Sequence, residues 1–295
     1  TSLEMFTAGV ETPVDVSQIE RLLRQLWQTA APSMHTRATR FNFLVCCNSE
    51  TARQKTVLAL RTLTSRHPCR AIVLLVDPTA SSADLSATIT AHCHPTGSGQ
   101  RQVCCEQILL RAACDRIPHL ASAVLPLLES DLPTIFWCQH DFRGQPESFR
   151  YLISIANRLI YDTATWPAPT SALRELSTII TQYPHCAFAD LNWTRLELWR
   201  ELVAESFDDP LTRAEAGRVR AIQIVHGQGP GASLRACLYA GWFAAQLGWP
   251  PAEARHRIAL VASPGEDTSA IGIMSVRITT DGATFSVQKH FDEQT

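Results

Sequence analysis

Two neighbouring stretches hold the densest set of reactive and ligating side chains. Val103-Cys104-Cys105-Glu106-Gln107-Ile108 puts two thiols beside a carboxylate, and His92-Cys93-His94 lies just upstream. A structural zinc needs four such ligands converging on one point, but the spacing here contains neither CxxC nor HxxxH. On a strand, successive side chains point to opposite faces, so Cys104 and Glu106 face one way while Cys105 and Gln107 face the other. A vicinal disulfide would need a strained local geometry. Core packing is the expectation, redox sensing is the alternative, and no metal is expected. A third stretch, His226-Gly227-Gln228-Gly229-Pro230-Gly231, precedes Ser233 and an apolar helix. Free N–H groups at a helix N-terminus can receive a phosphate, which makes Gly229, Gly231 and Ser233 an anion-binding candidate. The stretch is neither GxGxxG nor GxxxxGK[ST], and no Lys follows, so a plain loop is the competing reading. No GxSxG or HExxH occurs, and His119, His140, His185 and His256 stand singly. No catalytic residue and no cofactor are expected.

The most distinctive element is a helix running on from Asp190-Leu191-Asn192-Trp193-Thr194-Arg195-Leu196, with Asp190 or Asn192 as N-cap. Trp193, Leu196, Trp199, Val203 and Phe207 share one face, and Glu197, Glu201 and Glu205 line another. Arg200 falls inside the apolar stripe, where its guanidinium needs a carboxylate or other acceptors. Either this is an ordinary amphipathic helix, or its Trp and Arg residues anchor a contact with a partner.

Around it the pattern is α/β. Stretches 41–47 and 70–76 read as buried strands joined by a helix, which is a βαβ unit. Alternation over 86–94 and 102–111 makes a hairpin with a loose turn near 95–99, so the first sheet is mixed but mostly parallel. A helix at 118–128, a strand at 133–138, a helix at 146–156 and a strand at 158–162 follow. Trp166-Pro167-Ala168-Pro169 suggests the boundary. Beyond it come a helix at 171–182, a strand at 219–226, a long helix at 232–247 and strands near 258–262, 270–279 and 284–290, with Asp281-Gly282 as a hairpin signal. The organisation expected is an N-terminal tail and helix over 1–39, with the first 15 residues as tail and 33–40 as connector. An α/β domain over 40–166 and a smaller α/β domain over 167–295, ending in antiparallel strands, complete it. The 232–247 helix is apolar nearly all round and reads as a buried spine, closed by Gly248 as C-cap and Pro250-Pro251.

With 26 Lys and Arg against 28 Asp and Glu, the formal net charge is -2, which gives no field favouring nucleic acid or a membrane surface. No run approaches the ~20 apolar residues of a membrane span. The chain starts without an initiator Met, which points to removed upstream residues, and without a secretory pattern. The ten cysteines are scattered, which favours buried thiols in a reducing cytoplasm.

Taken together, Arg66-His67-Pro68-Cys69-Arg70-Ala71-Ile72-Val73, the 103–108 stretch, His119-Leu120 with Val124-Leu125-Pro126-Leu127-Leu128, Asp131-Leu132-Pro133, the 190–196 stretch with Trp199-Arg200-Glu201, and Ala240-Gly241-Trp242 with Leu247-Gly248-Trp249 resemble the OpcA family in order. These are the glucose-6-phosphate dehydrogenase assembly proteins, and the resemblance runs from about residue 40 to the C-terminus. It implies a non-catalytic, cytoplasmic protein that binds glucose-6-phosphate dehydrogenase and promotes its active oligomer in the oxidative pentose phosphate pathway. For some members it also implies a response to thiol redox state. On motif position, Trp193, Arg195, Trp199 and Arg200 are the candidate partner contacts. Cys104, Cys105, Glu106 and Gln107 are candidates for a second contact or a structural support. A sugar-phosphate-binding protein or enzyme using the Gly-rich turn is the alternative.

Overall fold

A computed structural model describes residues 11–29, 35–77, 85–96, 101–113, 117–143, 147–166, 169–229, 231–264 and 272–289. The chain forms two compact units. The first takes the residues up to Tyr161 together with Leu176–Phe188, and the second takes Asp162–Glu175 and the residues from Ala189 onward.

The first unit is built on a nine-stranded sheet. In chain order its elements are β1 (Thr12–Val14), α1 (Ile19–Thr29), β2 (His35–Arg37), β3 (Asn42–Cys47), α2 (Glu50–Arg66), β4 (Arg70–Asp77), β5 (Ser86–Thr96) and β6 (Arg101–Ala113). Then follow α3 (Ile117–Val124), β7 (Thr134–Cys138), α4 (Glu147–Ser154) and β8 (Arg158–Tyr161), with α5 (Pro169–Gln182) from Leu176 onward and β9 (Ala187–Asp190) as far as Phe188. The strand order is β1-β5-β6-β4-β3-β7-β8-β9, with β2 paired to β6. β6, β4, β3, β7 and β8 run parallel, and β5 and β1 are antiparallel additions. The mixed sheet read from sequence is thus present. All six residues of β3 are buried, as its unbroken apolar run requires. Ser49 accepts from Ala52 N–H at 3.2 Å and starts α2.

Two short stretches correct the sequence reading. Thr12–Val14, expected as tail, pairs antiparallel with β5. His35–Arg37, expected as connector, pairs parallel with β6. Three-residue strands carry too little periodicity to announce themselves, and an existing sheet edge supplies their hydrogen bonds. The tip of the β5–β6 hairpin, 97–100, lies outside the described residues.

The second unit holds α6 (Leu191–Thr194), α7 (Glu197–Glu205), α8 (Pro210–Ala216), β10 (Val219–His226), α9 (Ala232–Gln246), α10 (Pro251–Arg257), β11 (Ile258–Ala262), β12 (Ile273–Thr280) and β13 (Thr284–Gln288). Its four strands run in the order β11-β10-β12-β13. β10 and β11 are parallel, and β12 and β13 are antiparallel, around Asp281-Gly282 as expected. One face of this sheet packs Ile222, Ile224, Val276 and Ile278 against Leu196, Val203, Ala236, Tyr239 and Phe243. The short helix α10 had no sequence expectation.

The 232–247 helix differs from its expectation. It is not buried all round. Leu234, Arg235, Ala236, Tyr239 and Phe243 face inward, whereas Ser233, Cys237, Gly241 and Ala245 form an exposed stripe. Small and apolar residues do not by themselves distinguish a buried face from a tolerated exposed one. Its end is as read: Gly248 takes φ 65, and Trp249 N–H donates to Ala244 O at 2.9 Å, closing a Schellman turn.

A buried polar network ties three segments of this unit together. Asp190 accepts from Thr163 N–H at 3.1 Å, Thr163 Oγ1 at 2.6 Å and Asn192 N–H at 2.8 Å. Asn192 donates through Nδ2 to Thr163 Oγ1 at 3.2 Å and accepts at Oδ1 from Arg235 Nε at 2.7 Å. Burial raises the Asp190 pKa, and the bonds from Thr163 and Asn192 only partly oppose it. Beside it Arg195 donates to both oxygens of Asp162 at 2.8 and 2.6 Å. Burial alone would raise the Asp162 carboxyl, but the bonds from Arg195 and Ala164 N–H outweigh it and the pKa is lowered.

Two predictions follow from this architecture. An ideal β-carbon on Gly231, at φ 70, would stand 2.3 Å from Ala164 Cα, whereas one on Gly241 meets nothing within 4 Å. Gly231→Ala should therefore cost about 2 kcal/mol or more, and Gly241→Ala should gain about 0.5–1 kcal/mol, both measured by denaturant unfolding. Secondly, a lowered Asp162 stabilises the fold above its ordinary value of 3.8, and that contribution is lost as pH falls through the lowered folded value. Asp190, raised, acts with the opposite slope. Melting curves at descending pH should show a shallower acid loss in Asp162→Asn than in the wild type.

Candidate functional site

The 190–207 stretch folds as two helices in one line of apolar residues. Asp190 caps α6 through Asn192 N–H, and the chain tightens at Arg195-Leu196, where Leu196 N–H donates to Trp193 O at 3.0 Å. Despite that break the apolar stripe keeps its phase. Leu196 and Val203 are buried, and Trp193, Trp199 and Phe207 pack half-buried against the same core. Arg200 finds its acceptor inside this layer: Nη1 donates to Trp193 O at 3.0 Å, and the guanidinium lies 4.0 Å from the Trp193 ring centroid. Stacking and one hydrogen bond thus offset the desolvation without a carboxylate. Tyr239 Oη donates to Trp199 O at 2.8 Å and fixes α7 to α9.

Of the four candidates on this stretch, Trp193, Trp199 and Arg200 are engaged mainly with the core and with each other. Arg195 is exposed but paired to Asp162. The outward face of α7 carries different residues. Leu198 is 63% exposed and Leu202 38% exposed, one turn apart, among the exposed Glu197, Glu201 and Glu205. Leu211 on α8 is also exposed. Two neighbouring exposed leucines on a well-formed helix make an apolar patch rimmed by acids, a surface suited to a macromolecular partner. Leucine is under-represented among contact anchors and tryptophan enriched, so the sequence marks the inner stripe and leaves these leucines unmarked.

Beneath the inner side of α7 lies an open cavity of about 500 Å³, lined in part by Val203, Phe207, Trp242, Phe243, Trp249 and Arg257. Arg257 stands 5.0 Å over the Trp249 ring and donates to Val219 O.

The 103–108 stretch lies in the interior of the first unit. Cys104, Cys105, Glu106 and Gln107 are all buried, and the expected alternation holds. Cys104 is disulfide-bonded to Cys93, directly opposite on β5 with Cα atoms 4.0 Å apart. This corrects the expectation of thiols throughout; the two cysteines are far enough apart in sequence that only the hairpin register reveals the pair. Glu106 binds Arg70 Nε at 2.6 Å and accepts from Trp27 Nε1. Arg70 is shared with Glu20 at 2.7 Å and Glu129 at 3.1 Å. Burial would lower the Arg70 pKa, but these carboxylates raise it. On the other face Gln107 meets His92 at 3.2 Å, and Cys105 sits against Thr64 O. Burial pushes the thiols of Cys69 and Cys138 up to about 12, the range of inert thiols. Among the described residues no group of three or more His, Cys, Asp or Glu is placed to hold a metal ion.

In the Gly-rich turn, Gly229 is buried, Gly231 is packed on Ala164, and Ser233 is exposed in the first turn of α9. The N–H of Ala232 is already bonded to Gly229 O at 3.1 Å.

Residues 61–178 match the family model described as the glucose-6-phosphate dehydrogenase subunit N-terminal domain, and residues 186–294 match that of the C-terminal domain. The OxPP cycle protein OpcA of Synechocystis sp. is 33% identical over 192 residues, which is 64% of this chain and 39% of that protein. The OpcA protein of Synechococcus elongatus is 31% identical over 194 residues, 65% of this chain and 42% of that protein. The matched region thus spans about two-fifths of the length of these relatives. A solved structure of apo scyllo-inositol dehydrogenase from Lactobacillus casei aligns over 84% of this chain and 76% of that one with a TM-score of 0.42 and 7% identity, too distant to bear on function. The two family models in tandem and the named relatives agree with the motif resemblance, and the chain belongs to the OpcA family.

Proposed function

We propose that this chain is a non-catalytic, cytoplasmic assembly factor that binds glucose-6-phosphate dehydrogenase and raises the population of its active oligomer. Such a factor can shift an oligomer equilibrium only by its difference in affinity between the two states. It therefore needs a firm surface more than a reactive group. The observation that carries this reading is the outward face of α7, where Leu198 and Leu202 stand in solvent on a helix locked from behind. Trp193, Trp199 and Arg200 hold the helix in place, Arg195 sits at its start, and Leu198 and Leu202 make the contact. Cys104, Cys105, Glu106 and Gln107 act at a distance, by stiffening the first sheet.

The test is the double substitution Leu198→Asp and Leu202→Asp, assayed by co-elution with the dehydrogenase and by its activation. Binding should weaken tenfold or more, about 1.4 kcal/mol, with a smaller loss of fold stability than Trp199→Ala causes, because both leucines are exposed. Trp199→Ala should instead cost on the order of 2 kcal/mol of stability, since it removes half-buried packing. Full co-elution and activation by the double variant would remove this face from the interface.

A further inference from the structure

Arg235 has more hydrogen-bonding capacity than the fold uses. It lies one turn into α9 and is 6% exposed, so its charge is largely removed from water. Its Nε donates to Asn192 Oδ1 at 2.7 Å, and among the described residues its side chain makes no other hydrogen bond and no ion pair. A guanidinium has five N–H donors, so the four on its terminal nitrogens are unfilled. Leaving a desolvated cation in that condition is costly, and structures usually resolve it with an anion. Unlike Thr39 Oγ1 or His140 Nδ1, neither terminal nitrogen of Arg235 is closed off from solvent.

The surroundings fit an oxyanion. Gly272, at φ 106, leaves the room the guanidinium occupies: an ideal β-carbon there would stand 2.5 Å from Arg235 Nη1. A side chain this early in a helix leans back toward the N-terminus. Asn192 Nδ2, on the residue that holds Nε, lies 3.5 Å from Gly231 O, which sets the guanidinium beside the turn that opens α9. That turn follows the carboxyl end of β10, which runs parallel to β11, the end of an α/β sheet where ligands ordinarily bind. Asp162 is occupied by Arg195, and Asp190 by Thr163 and Asn192, so neither carboxylate neutralises Arg235 directly. Burial lowers the Arg235 pKa, and the charge of Arg195 adds to this against Asp162 and Asp190.

We propose that Arg235 and the N-terminus of α9 form a binding site for a phosphate group, held by the two terminal nitrogens of Arg235 in a bidentate fork and by the first-turn amides of Ser233 and Leu234. Three phosphate oxygens can use both donor sets at once, which a single carboxylate cannot. The site shifts the anion candidate away from Gly229, which is buried, toward a side chain whose position in an apolar helix hid it.

The experiment is a phosphorus NMR and calorimetric titration of the isolated chain, without dehydrogenase, at constant ionic strength set with sodium chloride. The probes are inorganic phosphate, a hexose 6-phosphate and acetate. Inorganic phosphate and the hexose phosphate should bind saturably at one site, with acetate at least tenfold weaker. A tighter hexose phosphate identifies a phosphorylated metabolite as the source, and equal affinities identify free phosphate. Arg235→Lys keeps the charge but loses the fork and should weaken binding tenfold or more. If that variant does not fold, the wild-type titration decides alone. Phosphate binding that does not saturate, acetate binding as tightly as phosphate, or undiminished binding in a folded Arg235→Lys variant would each overturn the assignment. None of these outcomes depends on the dehydrogenase, so the site and the proposed partner stand or fall separately.

Discussion

The second unit is organised by the need to satisfy one buried carboxylate. Asp190 receives three donors from Thr163 and Asn192, and Asn192 passes the connection on to Arg235 of α9. Three segments distant in sequence, at 163, at 190–192 and at 235, are held to hydrogen-bond precision by this chain of contacts. A buried polar network left half-satisfied would be worse than none, so each member constrains the others. The consequence reaches the surface. With α6 fixed at its cap and Leu196 buried behind it, α7 has one orientation, which puts Trp199 inward and Leu198 and Leu202 outward. The proposed contact face is thus a product of the buried network and not of surface composition.

The first unit uses the same principle with charges. Arg70 gathers Glu20, Glu106 and Glu129 at the start of β4 and ties α1 to the sheet. Such a cluster is poor evidence of net stabilisation, but removing one partner strands the others. Much of what makes the 66–73 and 103–108 stretches distinctive belongs to this cluster, to the Cys93–Cys104 pair and to buried thiols.

Legibility in the sequence followed the length and periodicity of each element. β3, α2, β4, the β5–β6 hairpin and the Asp281-Gly282 turn were all readable, because apolar runs, caps and turn residues act locally. Asp15 caps its own helical turn in the same local way, accepting from Ser17 N–H at 2.8 Å. Non-local partnerships were not. Nothing in the order of residues says that Cys93 faces Cys104, that Thr12–Val14 finds an edge on β5, or that Arg235 is buried with donors to spare. The inward face of α7 was read correctly from its period, yet the same period assigned the outward leucines no role. The Gly-rich turn was noticed for its free amides, whereas the structure gives Gly231 a steric reason of its own, its packing on Ala164.

The central claim is that a rigid helix face, and not a reacting group, does the work of this protein. Hydrogen exchange of the chain with and without glucose-6-phosphate dehydrogenase tests it most directly. Amides of residues 197–205 should exchange more slowly in the complex, while those of α2, on the other unit, stay as they were. Unaltered exchange over 197–205, with protection appearing elsewhere or nowhere, would contradict it.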